Sequence, residues 1–521
     1  MADNELRRDF KPRHVFMFSI ACAIGTGLII GSGGALSKGG PGSLLLAYLA
    51  VGAAVFFVMT GLGEMAAYLP MNKGFGGYAT RFVDPAFGFA TGWNYVFKYF
   101  IATPTNLTAA GLVVQYWRPD LNVAIWVTIF GIAVISINLF NVNKLGETEF
   151  WLACIKVCTM TAMIMTCLVS ALGGAPNKER TGFQYWTDPG AFASYIFPDS
   201  AVGRFLGWWA CMCQACFAFT GTEVVGMTFG ETPNPRKNVP IAVRQTFWRI
   251  ASFYIIGVLF LGMAVPYNSE ELLGATKQKT SAAASPFVIA AKIAGIKVFP
   301  DIINACLLVF TLSAATTADI YCASRSLYGL SKDRQAPKIF SKTLKNGSPV
   351  WAVALSAAFS VLAYMNATKS SSTVFQYFVS LVTVFAVLNW FAITASHVSF
   401  RRALKVQGVA LESLPYTGFL QPYGSYYAMF ISVIIIVFNG YDAFIPHFKV
   451  DTFVLKYLGT VVFTFNVLLW KFLKRTKRVK ATEMDLTSGR REHEETESPQ
   501  DAEWKTSTWK KMCRKLLNRS E

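Results

Sequence analysis

Lys98, Lys156, Glu223 and Asp319 lie inside stretches otherwise oily enough to cross a membrane. A charge held in hydrocarbon is costly, so such residues either pair with one another or line the path of an ion, a proton or a polar ligand. Glycines accompany them. The run IGTGLIIGSG, residues 24–33, carries Gly25, Gly27, Gly31 and Gly33; FAFTGTEVVGM, residues 217–227, carries Phe217, Phe219, Thr220, Gly221 and Glu223. Glycine admits backbone dihedrals that interrupt a helix, and it lets a ligand approach the main chain. Two helices interrupted at mid-membrane would expose N–H and C=O groups to a cavity. The half-helix after Gly25, Thr26 and Gly27 would present a positive dipole end to a carboxylate, and carbonyls freed at both breaks, around Thr220 and Gly221, would suit an ammonium group. A site offering both, with apolar walls, fits an α-amino acid. Gly27 and Gly31 are also separated by three residues, the spacing that lets two membrane helices pack closely. A dinucleotide fingerprint does not fit, because that motif needs a preceding strand and this run is embedded in a membrane span.

The elements that must position these residues are membrane helices. Of 521 residues, 53% are hydrophobic and 15% charged, which is too oily for a soluble globule. Apolar runs of spanning length, about 20 residues, fall at 15–37, 43–69, 86–116, 123–141, 147–172, 205–230, 250–268, 301–324, 350–366, 373–400, 425–446 and 452–472. The first exceeds the apolar length of a signal peptide and is expected to be retained. The fold expected is thus an all-α integral membrane protein of twelve spans, with tails at 1–14 and 473–521. Placing the N-terminus inside puts most of the 48 Lys and Arg residues on the tails and even-numbered loops, so both termini are predicted to be cytoplasmic. The net charge of +18 follows from that bias and calls for no nucleic acid partner. KFLKRTKRVK, residues 471–480, and WKKMCRKLLNR, from Trp509, carry charge suited to anionic lipid; the acid-rich stretch between them has no apolar period and reads as a disordered tail.

Other chemistry is scarce. Cys513 is the one cysteine of ten outside the spans, and no predicted outer loop holds a cysteine that could form a disulfide. Cys211, Cys213 and Cys216 have no His or carboxylate at metal spacing and read as packing residues, so no metal site is expected. His14, His447 and His493 read as surface or loop residues, and His397 falls at the cytoplasmic end of span 10. No Ser/His/Asp constellation or phosphate loop points to an enzyme or a cofactor. The sequon at Asn366 lies too near the membrane to be a glycosylation site.

IGTGLIIGSG, FTGTE (residues 219–223), ETPNPRKNVP (residues 231–240) and SAATTADIYCASRSLYGLSKDRQAPK (residues 313–338) resemble the amino acid–polyamine–organocation superfamily, and within it the fungal amino acid permeases, over about residues 10–470. The resemblance implies a leucine-transporter-type core of two inverted five-helix repeats at 15–400, with helices 1 and 6 discontinuous and two further helices at 425–472. It also implies proton-driven import at the plasma membrane, with ubiquitin-ligase adaptors acting on the cytoplasmic tails. The N-terminal tail of about 14 residues is shorter than the lysine-bearing tail usual in that family, which leaves either another mode of removal from the surface or a trimmed chain.

WNYVFKYFIATPTNLTAAGLVVQYW, residues 93–117, and ASPFVIA, near Ser285, are similar to the dicarboxylic amino-acid permeases, importers of glutamate and aspartate. Many fungal permeases carry a glutamate in span 3 at the position of Asn106. Here the acid is absent and Lys98 stands two turns earlier, changes in the direction an anionic side chain requires. Asp319 lies beside Thr316 and Thr317 in span 8; it would repel an acidic substrate unless protonated, so it either couples a proton or pairs with Lys98 or Arg325. Lys156 resembles a lysine that some proton-coupled relatives place where sodium-coupled ones bind a cation, with an ion pair to Glu147 or Glu149 as the alternative. Glu223 matches a proton-responsive position of some relatives, or caps exposed backbone. The resemblance makes Phe217 and Phe219 rings that close over substrate; Tyr321, Asn304 and Trp390 read as packing. The function expected is proton-coupled import of L-glutamate and L-aspartate by alternating access. Asn106 and Thr316 would equally accept a polar neutral side chain, which keeps open a permease of neutral or broad range; a non-transporting amino acid sensor is the alternative from another class.

Overall fold

The computed structural model describes residues 22, 24–71, 74–139, 142–228, 235–277, 285–344, 347–367, 371–445 and 447–488. Among these residues the regular structure is helical throughout, without a strand. Helix α1 (Ser32–Tyr68) opens on a π-helical turn, Gly27–Gly31, and kinks at Gly40, whose φ of 79° and ψ of 172° leave the helical region. Pro41 follows, and proline disfavours the α conformation in the residue before it, so the predicted spans 1 and 2 abut at this kink. A short helix, α2 (Gly74–Phe82), leads to α3 (Pro85–Val114). Asp84 caps α3 by accepting from the Ala86 N–H at 2.8 Å, and Pro85 occupies the first helical position, where its missing donor costs nothing.

The chain continues through α4 (Val123–Leu139), α5 (Val142–Ala171), α6 (Ala201–Ala218) and α7 (Val224–Thr228). Helix α8 (Pro235–Arg249) runs through a π turn into α9 (Ile256–Ala264), followed by α10 (Glu270–Lys277) and α11 (Pro286–Ile293). Helices α12 (Phe299–Ser313) and α13 (Cys322–Lys332) join through the π turn Ala314–Tyr321. The last are α14 (Val350–Phe359), α15 (Ser371–Val406), α16 (Tyr423–Phe438) and α17 (Val450–Lys474).

Seven stretches among the described residues are both long and apolar enough to cross a membrane: Gly27–Tyr68, Glu147–Ala171, Asn238–Ala264, Phe299–Lys332, Thr373–Val406, Tyr423–Ala443 and Val450–Lys474. Val123–Leu139 and Val350–Asn366 are shorter apolar helices. The difference from twelve predicted runs has physical causes. The first two merge across the Gly40 kink, the sixth is divided after Ala218, and α3 carries Asn94, Lys98, Asn106 and several threonines that are buried in protein rather than turned to lipid. Helix α1 packs along α6, and α3 along α15. The apolar window of α15 is 83% buried and that of α17 only 11%, which makes α15 a central helix and α17 a peripheral one facing lipid.

One expectation is overturned. The acid-rich tail is not free of the body throughout: Met484 and Leu486 are buried in the main core cluster. Two apolar residues two apart are too few to register as a period, yet enough to anchor an extended segment. His397, toward the end of its span, is fully buried beside Glu64. The Asn366 side chain is buried and donates to Thr108 Oγ1 at 2.9 Å and the Ala363 carbonyl at 2.7 Å, so it serves helix contact. Residues 1–21, residues 229–234, the remainder of the acidic tail and WKKMCRKLLNR lie outside the described residues.

Candidate substrate site

Ile24 and Gly25 fall outside regular helix, between helical Cys22 and the turn that begins at Thr26. Helix α6 stops at Ala218, and residues 219–223 form turns before α7 begins at Val224. Gly221 has φ of 91°, in the left-handed region, and the Cys22 carbonyl stands where a Cβ on Gly221 would sit; both facts require glycine. A Cβ on Gly27 would come 2.7 Å from Ala218 Cα and 2.8 Å from the Phe217 carbonyl oxygen, so the two segments cross in backbone contact. Gly31 faces the Gln214 side chain, while Gly25 has open space around it. The glycines therefore divide. Gly27 and Gly31 serve close packing against α6, and Gly25 belongs to the interruption.

A cavity lies where these segments meet. Gly25, Thr26 and Gly27 line one side, Phe217, Ala218, Thr220 and Gly221 another, and Lys98, Tyr99, Ala102, Thr105 and Asn106 of α3 a third; Cys22, Ala314, Asp319 and Val382 complete it. A chain of hydrogen bonds crosses it. Thr26 Oγ1 donates to Asn106 Oδ1 at 3.1 Å, and Asn106 Nδ2 donates to Asp319 Oδ2 at 2.6 Å. One amide thus ties the first interrupted segment, α3 and the π turn of residues 314–321 together, using both its acceptor and its donor. Thr220 and Thr222 hydroxyls each donate at 2.8 Å to the carbonyls of Phe217 and Phe219, so two carbonyls expected to face an ammonium group are already engaged.

Lys98 pairs with Glu223, and Asp319, for which Lys98 is one expected partner, accepts from Asn106 instead. Lys98 Nζ also donates to Tyr99 Oη at 3.3 Å and lies 4.6 Å from the Tyr99 ring centre. The second Glu223 oxygen accepts from Trp390 Nε1 at 3.3 Å, so Trp390, read from sequence as packing, holds the counter-ion of a cavity residue. The sequence carried no sign of this, because the two charges belong to different spans and the indole to a third.

The remaining sequence candidates lie off the cavity lining. Phe219 is fully buried and stacked on Tyr254, ring centres 4.4 Å apart, whereas Phe217 lines the cavity and meets Phe375 edge-on. Thr316 turns its hydroxyl onto the Leu312 carbonyl at 2.7 Å, and its own carbonyl accepts from Asn138. Lys156 has no exposed surface and sits 3.6 Å from Glu149, whose two oxygens are each 2.8 Å from Ser313 Oγ. A buried cluster that sequence reading missed joins α1 to α15: Glu64 accepts from Arg401 Nε at 2.7 Å and from the Gly418 N–H at 2.6 Å, with His397 Nε2 2.6 Å away.

A polar cavity between two interrupted segments, within a bundle of apolar helices, has the chemistry to hold a small polar ligand inside a multi-pass membrane protein. The chain belongs to the amino acid permease family, whose family model matches residues 14–483. It is 50% identical to an uncharacterized amino-acid permease of Schizosaccharomyces pombe, over 92% of each chain. It is 44% identical to the dicarboxylic amino acid permease of Saccharomyces cerevisiae, over 93% of this chain and 80% of that one, and 37% identical to the proline-specific permease of Emericella nidulans, over 93% and 89%. Membership makes this chain a transporter of amino acids; relatives of differing specificity leave the substrate to be argued from the cavity.

Proposed function

We propose that this protein imports acidic amino acids together with protons across the plasma membrane. The architecture that fits this reading is twelve spans, two inverted repeats of five over residues 15–400 with two further helices, and both termini cytoplasmic. The carrying observation is a buried lysine at the cavity whose partner is a titratable carboxylate. A substrate's side-chain carboxylate and Glu223 compete for Lys98. A proton on Glu223 ends its claim on the ammonium, and Trp390 holds the neutral carboxyl in place. Substrate and proton therefore favour each other's binding, which is the thermodynamic content of symport. The backbone at Gly25, Thr26 and Gly27 takes the α-carboxylate, and Asp319, held by Asn106, faces the α-ammonium or carries a second proton. Phe217 closes the apolar side. In the same reading Lys156 beside Glu149 braces the first interrupted segment or passes a proton.

Energetics constrain the coupling. Glutamate entering as a net anion works against an inside-negative potential, at about 2.3 kcal/mol per charge per 100 mV. One proton leaves entry electroneutral and driven by the pH difference alone, so uptake that also draws on the membrane potential predicts two or more. The test is uptake of labelled L-glutamate at pH 5 and pH 7.5 in cells lacking their own permeases, with unlabelled aspartate, leucine, proline and lysine as competitors. Acid-stimulated uptake with inward positive current, blocked mainly by aspartate, is expected. Uptake without that current sinks the stoichiometry, and competition led by leucine or proline sinks the acidic substrate.

One observation favours a neutral or broad-range substrate instead. Lys98 is already matched by Glu223, and Thr26, Asn106 and Thr105 offer uncharged polar groups around the cavity. Under that reading Lys98→Gln spares uptake of the accepted amino acid once it is corrected for the amount of protein at the surface.

A further inference from the structure

We infer that residues 476–488 form a strap that holds shut the end of the bundle where α2 and α15 terminate, and that its release accompanies opening at that end. The strap grips the α2–α3 junction. Arg81, in the last turn of α2, places Nη2 3.1 Å from Asp485 Oδ1 and donates to the Asp485 carbonyl at 2.6 Å and the Ser488 carbonyl at 3.0 Å. The Val479 N–H donates to the Val83 carbonyl at 2.9 Å. Asp84, which caps α3, also accepts from Thr476 Oγ1 at 2.9 Å. On the other side Gln407, just past α15, donates through Nε2 to the carbonyls of Ala481 at 2.9 Å and Met484 at 2.8 Å.

Between these anchors Met484 and Leu486 are 5% and 3% exposed, and they join the core cluster that includes Phe82, Phe400 and Leu404. A solvated tail does not bury two apolar side chains and place its carbonyls on guanidinium and amide donors; this segment is docked. Its two anchor points are the ends of helices that reach the cavity. Helix α3 carries Lys98 and Asn106, and α15 carries Val382 and Trp390. A movement that parts α3 from α15 at this end must break the strap's contacts, so the strap favours the state in which this end is closed. Severing it shifts the population toward opening, and apparent affinity for outside substrate falls by the fraction still competent to bind it.

The inference rests on this end facing the cytoplasm, not on the identity of the substrate. The experiment uses the full chain, with surface amount measured. Arg81→Glu is expected to raise KM for external L-glutamate at least about threefold, and the charge-swapped pair Arg81→Glu/Asp485→Arg to restore it in part, since the ion pair returns but a carboxylate cannot donate to the two carbonyls; mere loss of stability would lower surface amount and leave KM alone. A second arm needs no substrate. In a Cys513→Ser background, Met484→Cys in inside-out vesicles is expected to react slowly with a membrane-impermeant maleimide and quickly once Arg81→Glu is added, read at the peptide containing position 484. Unchanged KM with equal labelling in both backgrounds would overturn the strap. Labelling from right-side-out cells would overturn the orientation and the strap with it, while leaving the amino acid site untouched.

Discussion

Lys98 and Glu223 are 125 residues apart in sequence and share one buried ion pair beside the cavity. Removing one partner of such a pair leaves an uncompensated charge, at a cost of about 3–5 kcal/mol. Lys98→Ala is therefore expected to reduce the amount of folded protein reaching the membrane, measured by surface labelling before any uptake is compared. Glu223→Gln keeps an acceptor for Trp390 but cannot titrate. It is expected to abolish the rise of glutamate uptake between pH 7.5 and pH 5, and the double change Lys98→Gln/Glu223→Gln to recover folded protein without recovering acid stimulation. If Glu223→Gln retained full acid stimulation, coupling would pass to Asp319 or Lys156. At this scale the sequence singled out groups that the structure brings to or beside one cavity, because an ionisable residue in hydrocarbon has few uses. It did not show which acid Lys98 would meet, since chain position says nothing about which faces of three spans converge.

The interrupted segments make a sharper test of what each glycine does. A Cβ on Gly27 meets backbone atoms of Phe217 and Ala218, which cannot swing aside; Gly34 on the same helix has nothing within 4 Å. Gly27→Ala is expected to cost about 1–3 kcal/mol by overpacking and to lower the melting temperature in detergent. Gly34→Ala is expected to match or slightly exceed the parent, through better helix propensity. Equal melting temperatures for both would mean that the first segment and α6 do not cross so closely. Helix positions themselves were legible: the runs predicted at 86–116, 123–141 and 373–400 coincide with α3, α4 and α15, because burial in lipid or protein demands unbroken apolar sequence. Phe219 was not legible. It lies two residues beyond Phe217, past the end of α6, and that step sends it to Tyr254 instead of the cavity.

Over the whole molecule, contacts remote from the cavity tie the helix ends together. Glu64, His397 and Arg401 lock α1 to α15 inside the protein, and the strap locks α2 and α3 to α15 at its surface. The strap's ion pair is insensitive to physiological acidification. Partial burial pushes the Asp485 carboxyl up, but hydrogen bonds from Ser488 and Thr487, together with the Arg81 guanidinium, hold it well below the usual carboxylate range. A depressed pKa contributes stability that is complete above the unfolded value, about 3.9 for Asp, and is lost only as pH falls through the lower folded value. Asp485→Asn is therefore expected to leave the shape of the uptake profile between pH 5 and pH 7.5 unchanged while weakening the strap. A changed shape would move part of the proton response out of the cavity.

By itself the sequence determined that this chain is helical, lies in a membrane, and carries clustered glycines in its first and sixth apolar runs. Those properties follow from composition and local backbone freedom, which each residue carries wherever the chain folds. Only the tertiary structure decided that Gly27 packs on Ala218, that Glu223 and Trp390 stand behind Lys98, and that residues 476–488 close over the α2–α3 junction. Each of these depends on which helix faces meet, and that is settled by the packing of all the helices at once.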